Sequence, residues 1–178
     1  MHFLARRRAG AYALDCCTYA VVAAATVPIG LIVNRLVDAP SHGLVLAMSA
    51  VPPAIATVWA ARVESGRHRA TLGKRWQKLI VVPDGMRAVG ERVRFGPALA
   101  RNAVKIFVPW QLGHIVSIEA MYDSYAQGNP FAIGAAVVFY PMIGVFAWML
   151  LRDEGRGPHD RIAGTRVVPA PDSSAPAP

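Results

Sequence analysis

Phe131–Leu151, FAIGAAVVFYPMIGVFAWMLL, contains no charged residue. A bilayer hydrocarbon core of roughly 30 Å takes about 20 apolar residues as a helix, so this run is long enough to span it. Two further runs satisfy the same test: Gly43–Ala61 is uncharged, and Ala9–Val33 carries Asp15 as its only charge. The whole chain agrees. Its 178 residues are 54% hydrophobic and only 17% charged, with a mean hydropathy of +0.33. Such a balance fits a small multi-span membrane protein of all-α class, an integral helical bundle, and not an ordinary soluble domain. Pro28, the pair Pro52–Pro53 and Pro141 lie inside the runs, where kinks are expected.

The start of the chain also has the outline of a signal peptide, with Arg6–Arg8 as the basic region and Ala23–Ala25 as a cleavage site. The apolar run is long for that role, and Asp15 interrupts its beginning. The later runs would hold the protein in a bilayer in either case.

A fourth stretch, Ile106–Met121 (IFVPWQLGHIVSIEAM), is balanced. Its Ile, Leu, Val and Phe residues favour insertion by about 2–4 kcal/mol, while one central acidic residue opposes it by about 2.5–3.5 kcal/mol. Gln111, His114 and Glu119 therefore make it a weakly apolar or re-entrant segment. Loop charges argue for four membrane segments. Between residues 62 and 105 lie Arg62, Arg67, Arg69, Lys74, Arg75, Lys78, Arg87, Arg92, Arg94, Arg101 and Lys105, an excess that marks a cytoplasmic loop. The stretch DSYAQGNP (123–130) has no Lys or Arg and suits the outside. Arg152, Arg156, Arg161 and Arg166 follow the last run and suit the inside, as do Arg6–Arg8. Segments at about 10–33, 43–61, 106–121 and 131–151, with both termini cytoplasmic, satisfy every loop; a three-span chain leaves the last arginines outside. The net charge of +8 is thus a topology signal and a surface for anionic membrane lipids, with no nucleic-acid face. Within the basic loop, RFGPALARNAVKIFV has Pro97 near a helix start and is expected along the membrane surface. WQKLIVV reads as a strand or an interfacial patch. The membrane domain covers 1–168, and the proline-rich 169–178 reads as a disordered tail.

Asp15 is the residue that most needs a partner. It lies seven residues from Arg8 on the same helix face, about 10 Å along the axis, too far for a close direct pair. An acid at that depth must face protein, water or a cation. It is either a carboxyl hydrogen-bonded between helices or an ion or proton site. His114 reads more readily as a packing histidine than as a proton relay, and its five-residue spacing from Glu119 makes the two poor joint ligands.

The ordered set RRRAGAYALD (6–15), TLGKRWQKLIVV (71–82), ALARNAVK (98–105) and HDRIAGTRVV (159–168) resembles the RDD family of bacterial membrane proteins, named for an arginine and two aspartates. The resemblance puts these at Arg8 (Arg7 being the alternative), Asp15 and Asp160, with Gly73, Lys74 and Arg101 on weaker family positions. It implies a bacterial inner-membrane protein of transport type, with cation/proton exchange suggested for some members. Members are described with three spans, against the four segments favoured by charge. In the four-segment arrangement His159 and Asp160 share a side with Arg8. Asp160 is then expected to pair with Arg8, leaving Asp15 deeper.

Other chemistry is not supported. ATLGKR lacks P-loop spacing, HD at 159–160 has no companion ligands, and no Gly-x-Ser-x-Gly or His-Glu-x-x-His occurs. No enzyme activity, metal or cofactor is expected. Cys16 and Cys17 read as packing residues, with acylation the minor alternative. Trp59, Trp76, Trp110 and Trp148 read as interface anchors. A chain of this size is expected to self-associate. The function expected is transport of a small cation or proton through Asp15, with Arg8, Asp160 and His114 as further ion-site residues and Gly73, Lys74, Arg101 and His159 as structural or interface residues. The alternative is a scaffold or accessory subunit.

Overall fold

The computed structural model describes residues 3–85, 91–151 and 157–171. Arg87, Arg152, Arg156 and residues 172–178 lie outside them. Helix α1 runs Phe3–Leu36, and α2 (His42–Ser49) and α3 (Val51–Ser65) follow end to end. Next come α4 (Leu72–Trp76), strand β1 (Leu79–Pro83) and α5 (Phe95–Asn102). A π-helical turn at Ala103–Phe107 leads into α6 (Val108–Met121), and α7 (Pro130–Leu151), α8 (Pro158–Ile162) and β2 (Thr165–Pro169) complete the order. Three stretches are long and apolar enough to cross a membrane: Leu4–Leu36, His42–Ser65 and Pro130–Met149. The all-α membrane bundle read from the sequence is therefore the fold, with one two-stranded sheet added.

Prolines mark the irregularities. α1 and α7 continue through Pro28 and Pro141. The second apolar run instead breaks at Ala50, just before Pro52–Pro53, so that α3 begins afresh with proline in its first turn. Pro109 has no N–H to give to the Lys105 carbonyl. The helix widens ahead of it, and Val108 N–H reaches back five residues to the Ala103 carbonyl.

α1 buries one stripe, Ala5, Ala11, Asp15 and Tyr19, while Val21, Val27, Leu31 and Ile32 further along are exposed. α3 presents Ala56, Thr57, Ala60, Ala61 and Glu64 from its buried side. Those small side chains let neighbouring backbones come close. Tyr19, Ala56, Ala60 and Ile106 form one apolar cluster, with Trp59 and Trp110 against it. Of the four tryptophans, Trp76 and Trp148 are exposed, whereas Trp59 meets Tyr19 edge-on.

The basic segment is far more ordered than a topology loop. β1 pairs antiparallel with β2, Val81 opposite Val167 and Leu79 opposite Pro169. Leu79 and Val81 pack with Ala11, Ala61, Val93 and Ala98; Ile80 and Val82 pack with Ala70. The LIVV of WQKLIVV thus resolves as a buried strand, while Trp76 closes α4 and is exposed. α5 turns Ala98, Arg101 and Asn102 inward; it does not simply lie on a surface. Of the tail expected from residue 169, the first residues are ordered: Pro169 ends β2 and Ala170 N–H donates to the Lys78 carbonyl at 2.8 Å. α4, α5, α8 and the sheet all gather at the N-terminal end of α1, termed here the arginine end.

From there α6 runs to the opposite end of the bundle. Its polar residues are met on the way. Gln111 Nε2 donates to Ser49 Oγ at 3.0 Å, and Trp110 Nε1 donates to His114 Nε2 at 2.9 Å. His114 Nδ1 lies 2.9 Å from the Ser49 carbonyl, which fixes Nδ1 as the donor. Glu119, fully buried, faces His42 Nε2 at 2.9 Å, and Tyr122 stacks on the His42 ring.

Candidate functional site

The arginine end holds a continuous, buried array of alternating charge. It begins on α1, where Arg8 Nη2 lies 2.8 Å from Asp160 Oδ2. Asp160 Oδ1 accepts from Arg101 Nε at 2.9 Å and from Thr165 Oγ1 at 3.3 Å. Arg101 Nη1 then reaches both oxygens of Glu64, each at 2.8 Å. Glu64 also accepts from Asn102 Nδ2 at 2.7 Å and from Lys74 Nζ at 2.6 Å. Lys74 Nζ lies 3.8 Å from Asp15 Oδ2. Asp15 itself accepts from Thr71 Oγ1 at 2.7 Å and from the Gly73 backbone N–H at 2.9 Å.

Local structure explains each placement. Thr71 precedes the first turn of α4, so the free N–H of Gly73 and the Thr71 hydroxyl point at the carboxylate that α1 brings. Gly73 is required there: a Cβ at this position would fall on the Ala11 carbonyl oxygen and 2.8 Å from Asp15 Oδ1. Arg7 secures the same corner by donating from Nε to the Gln77 carbonyl at 2.9 Å and from Nη2 to the Gln77 and Lys78 carbonyls. Asn102 follows Arg101 on the last turn of α5, so one short helix supplies two donors to Glu64.

Asp15, Glu64 and Asp160 are 0% exposed and Arg101 is 1% exposed. Ions taken so far from water persist only when paired and hydrogen-bonded. Burial alone would raise the Asp160 carboxyl, but Arg101 above all, with Arg8, holds it below the usual carboxylate range. Burial would lower Arg101, yet Glu64 and Asp160 hold it above its ordinary value. His159 stacks on Phe146; burial and then Arg101 push it down to about 3, so it stands neutral beside Asp160.

Beside the array is a cavity of about 300 Å³ lined by Arg8, Asp15, Lys74, Arg101, Lys105 and His159 together with apolar residues of α7. Lys105 sits on the π turn with Nζ 5.0 Å from the centre of the Tyr12 ring. Burial first, then Lys74 and Arg101, lowers its ammonium to about 7.

Arg8, Asp15, Gly73, Lys74, Arg101, His159 and Asp160, all marked from sequence, meet in this one region. The expected Arg8–Asp160 pair is present. His114 stays outside, occupied by Trp110 and Ser49. Lys105, which with Arg101 is a sequence candidate for a partner of Asp15, lines the same cavity as Asp15. Glu64, Thr71, Asn102 and Thr165 carry no such mark; Glu64 leaves only a trace, a carboxylate one turn beyond an apolar run at the start of a strongly basic segment. Cys16 and Cys17 are free and exposed, not packing residues.

In a scan of family models, the RDD family matches residues 4–164. Comparisons with curated proteins and with solved structures found no match.

Proposed function

The chain belongs to the RDD family, and from that premise we propose that it is a non-enzymatic membrane scaffold or accessory protein, with the charge array clamping a folded basic layer onto its spans. The observation that carries this reading is saturation: each of Asp15, Glu64 and Asp160 already receives at least two donors from the protein itself. None offers an open carboxylate for a passing ion. We assign the arginine end to the cytoplasmic face of a bacterial inner membrane, since the basic residues concentrate there, with α6 as a fourth crossing. The exposed second half of α1 is the surface left for lipid or for a second copy.

Asp15→Asn tests the reading. An asparagine amide keeps only one acceptor oxygen and cannot take both the Thr71 hydroxyl and the Gly73 N–H as Asp15 does, so unfolding in detergent should become easier by about 1–3 kcal/mol, and reconstituted vesicles should carry no proton or cation flux to lose. If the variant keeps wild-type thermal stability while abolishing a flux that the wild type shows, the scaffold reading falls.

Transport of a small cation or proton is the second reading. It is favoured by one observation: Asp15 and Lys105 line the same cavity, where burial lowers the Lys105 ammonium towards about 7. That same flux measurement decides between them.

A further inference from the structure

The array balances its own charge. Asp15, Glu64 and Asp160 face Arg8, Lys74 and Arg101. Lys105 is the surplus cation: among the described residues no carboxylate pairs with it, and its ammonium rests over the Tyr12 ring. It is half-buried, with Lys74 and Arg101 adding repulsion.

Lys105 also joins two spaces. The 300 Å³ cavity on its arginine side carries the charged lining. A second cavity of about 600 Å³ runs the other way between α1, α6 and α7, walled by Tyr19, Trp110, Val116, Phe139, Tyr140 and Ile143. Tyr12, Lys105, Pro109 and Ile143 line both. From Met149 back to Phe139 the wall follows α7 for about 15 Å. Both spaces are walled mainly by apolar side chains, and the cations Arg8, Lys74, Arg101 and Lys105 reach the arginine-side one; a cation at the junction of an apolar, aromatic trough along the helices matches an amphiphile with an anionic head and a hydrocarbon chain.

We propose that this groove is a binding site for one anionic phospholipid, its phosphate on Lys105 and an acyl chain along α6 and α7. The proposal rests on the scaffold reading, and gives that scaffold a specific lipid where the basic segment alone gave only a charged surface. The bound phosphate supplies the missing counter-charge. An acyl chain in the trough covers Ile143, which is exposed, and the face of Trp110 that lines the trough.

The test is native mass spectrometry of the full chain titrated with phosphatidylglycerol, with phosphatidylcholine of the same chains, and with inorganic phosphate. One cation facing a lipid headgroup is worth about 1 kcal/mol, so phosphatidylglycerol should bind about fivefold tighter than phosphatidylcholine. Lys105→Gln should bring the two to parity. Ile143→Trp, which fills the trough and leaves Lys105 in place, should weaken both lipids together, and it carries the test should Lys105→Gln fail to fold. Equal binding of the two lipids by the wild type, retained selectivity in Lys105→Gln, or an unchanged affinity in Ile143→Trp overturns the proposal. So does displacement of the lipid by inorganic phosphate alone, which would mean that the chain contributes nothing. Flux in reconstituted vesicles would instead count against the scaffold reading and leave the lipid result standing.

Discussion

At the arginine end, three buried carboxylates share Arg8, Lys74 and Arg101 and also take hydrogen bonds from Thr71, Gly73, Asn102 and Thr165. At the opposite end, Glu119 is just as buried but faces His42 at 2.9 Å and has no other side-chain partner among the described residues. Both places put an acid out of reach of water. They differ in how many elements are tied together. The first joins α1, α3, α4, α5, α8 and β2; the second joins only α2 and α6. A many-membered array resists the loss of any one element, because each ion would be left uncompensated in a poor solvent. A two-membered contact holds two helices and can part without exposing a third.

That contrast is open to direct attack. Arg101→Met strikes it hardest, since Glu64 and Asp160 lose their shared cation together. Thermal unfolding in detergent should register a loss of about 3–5 kcal/mol, and the variant should become sensitive to proteolysis between α3 and α4. A loss under about 1 kcal/mol would erase the distinction between the two ends. Gly73→Ala comes next. Its methyl group lands on the Ala11 carbonyl, a backbone atom that cannot swing aside, and an overpacking cost of about 1–3 kcal/mol is expected in the same assay.

Acid sharpens the comparison further. An unfolded His159 takes up a proton near pH 6.5, while the folded ring refuses one until about 3. The unfolded chain therefore binds more protons in that window, and stability should fall as pH drops from 6.5, by at most about 1.4 kcal/mol per unit. His159→Phe keeps the stack on Phe146 and should flatten the slope; an unchanged slope would move its origin elsewhere. The smallest effect belongs to the opposite end. Glu119→Gln should shift unfolding by only about 0.5–1.5 kcal/mol, and a shift matching that of Arg101→Met would show that the lone pair bears as much as the array.

The sequence made the spans legible because hydrocarbon thickness and apolar run length are tied by geometry. It also made most of the charged site legible, through loop charge and an ordered family pattern. Arg8 and Asp160 are 152 residues apart, yet the fold brings them to one end. Glu64 escaped because a lone acid among arginines reads as surface charge until the partner helix is known. Lys105 is legible as a cation near Asp15, but the widened turn that carries it is not, because an amphipathic helix start does not reveal it. Within 62–105 a helix near Pro97 and a strand or patch at WQKLIVV are legible, but not their packing, since apolar pieces such as LIVV are short. Their burial depends on β2, which arrives from the far end of the chain.

The widened turn at Ala103–Phe107 has a wider consequence. It acts as a phase shifter between two halves of one continuous helical rod, so that Arg101 and Asn102 keep time with Glu64 while Trp110 and His114 keep time with Ser49. Excising one residue there would advance everything beyond it by about 100°, turning the downstream polar stripe away from its hosts with no change in composition at all.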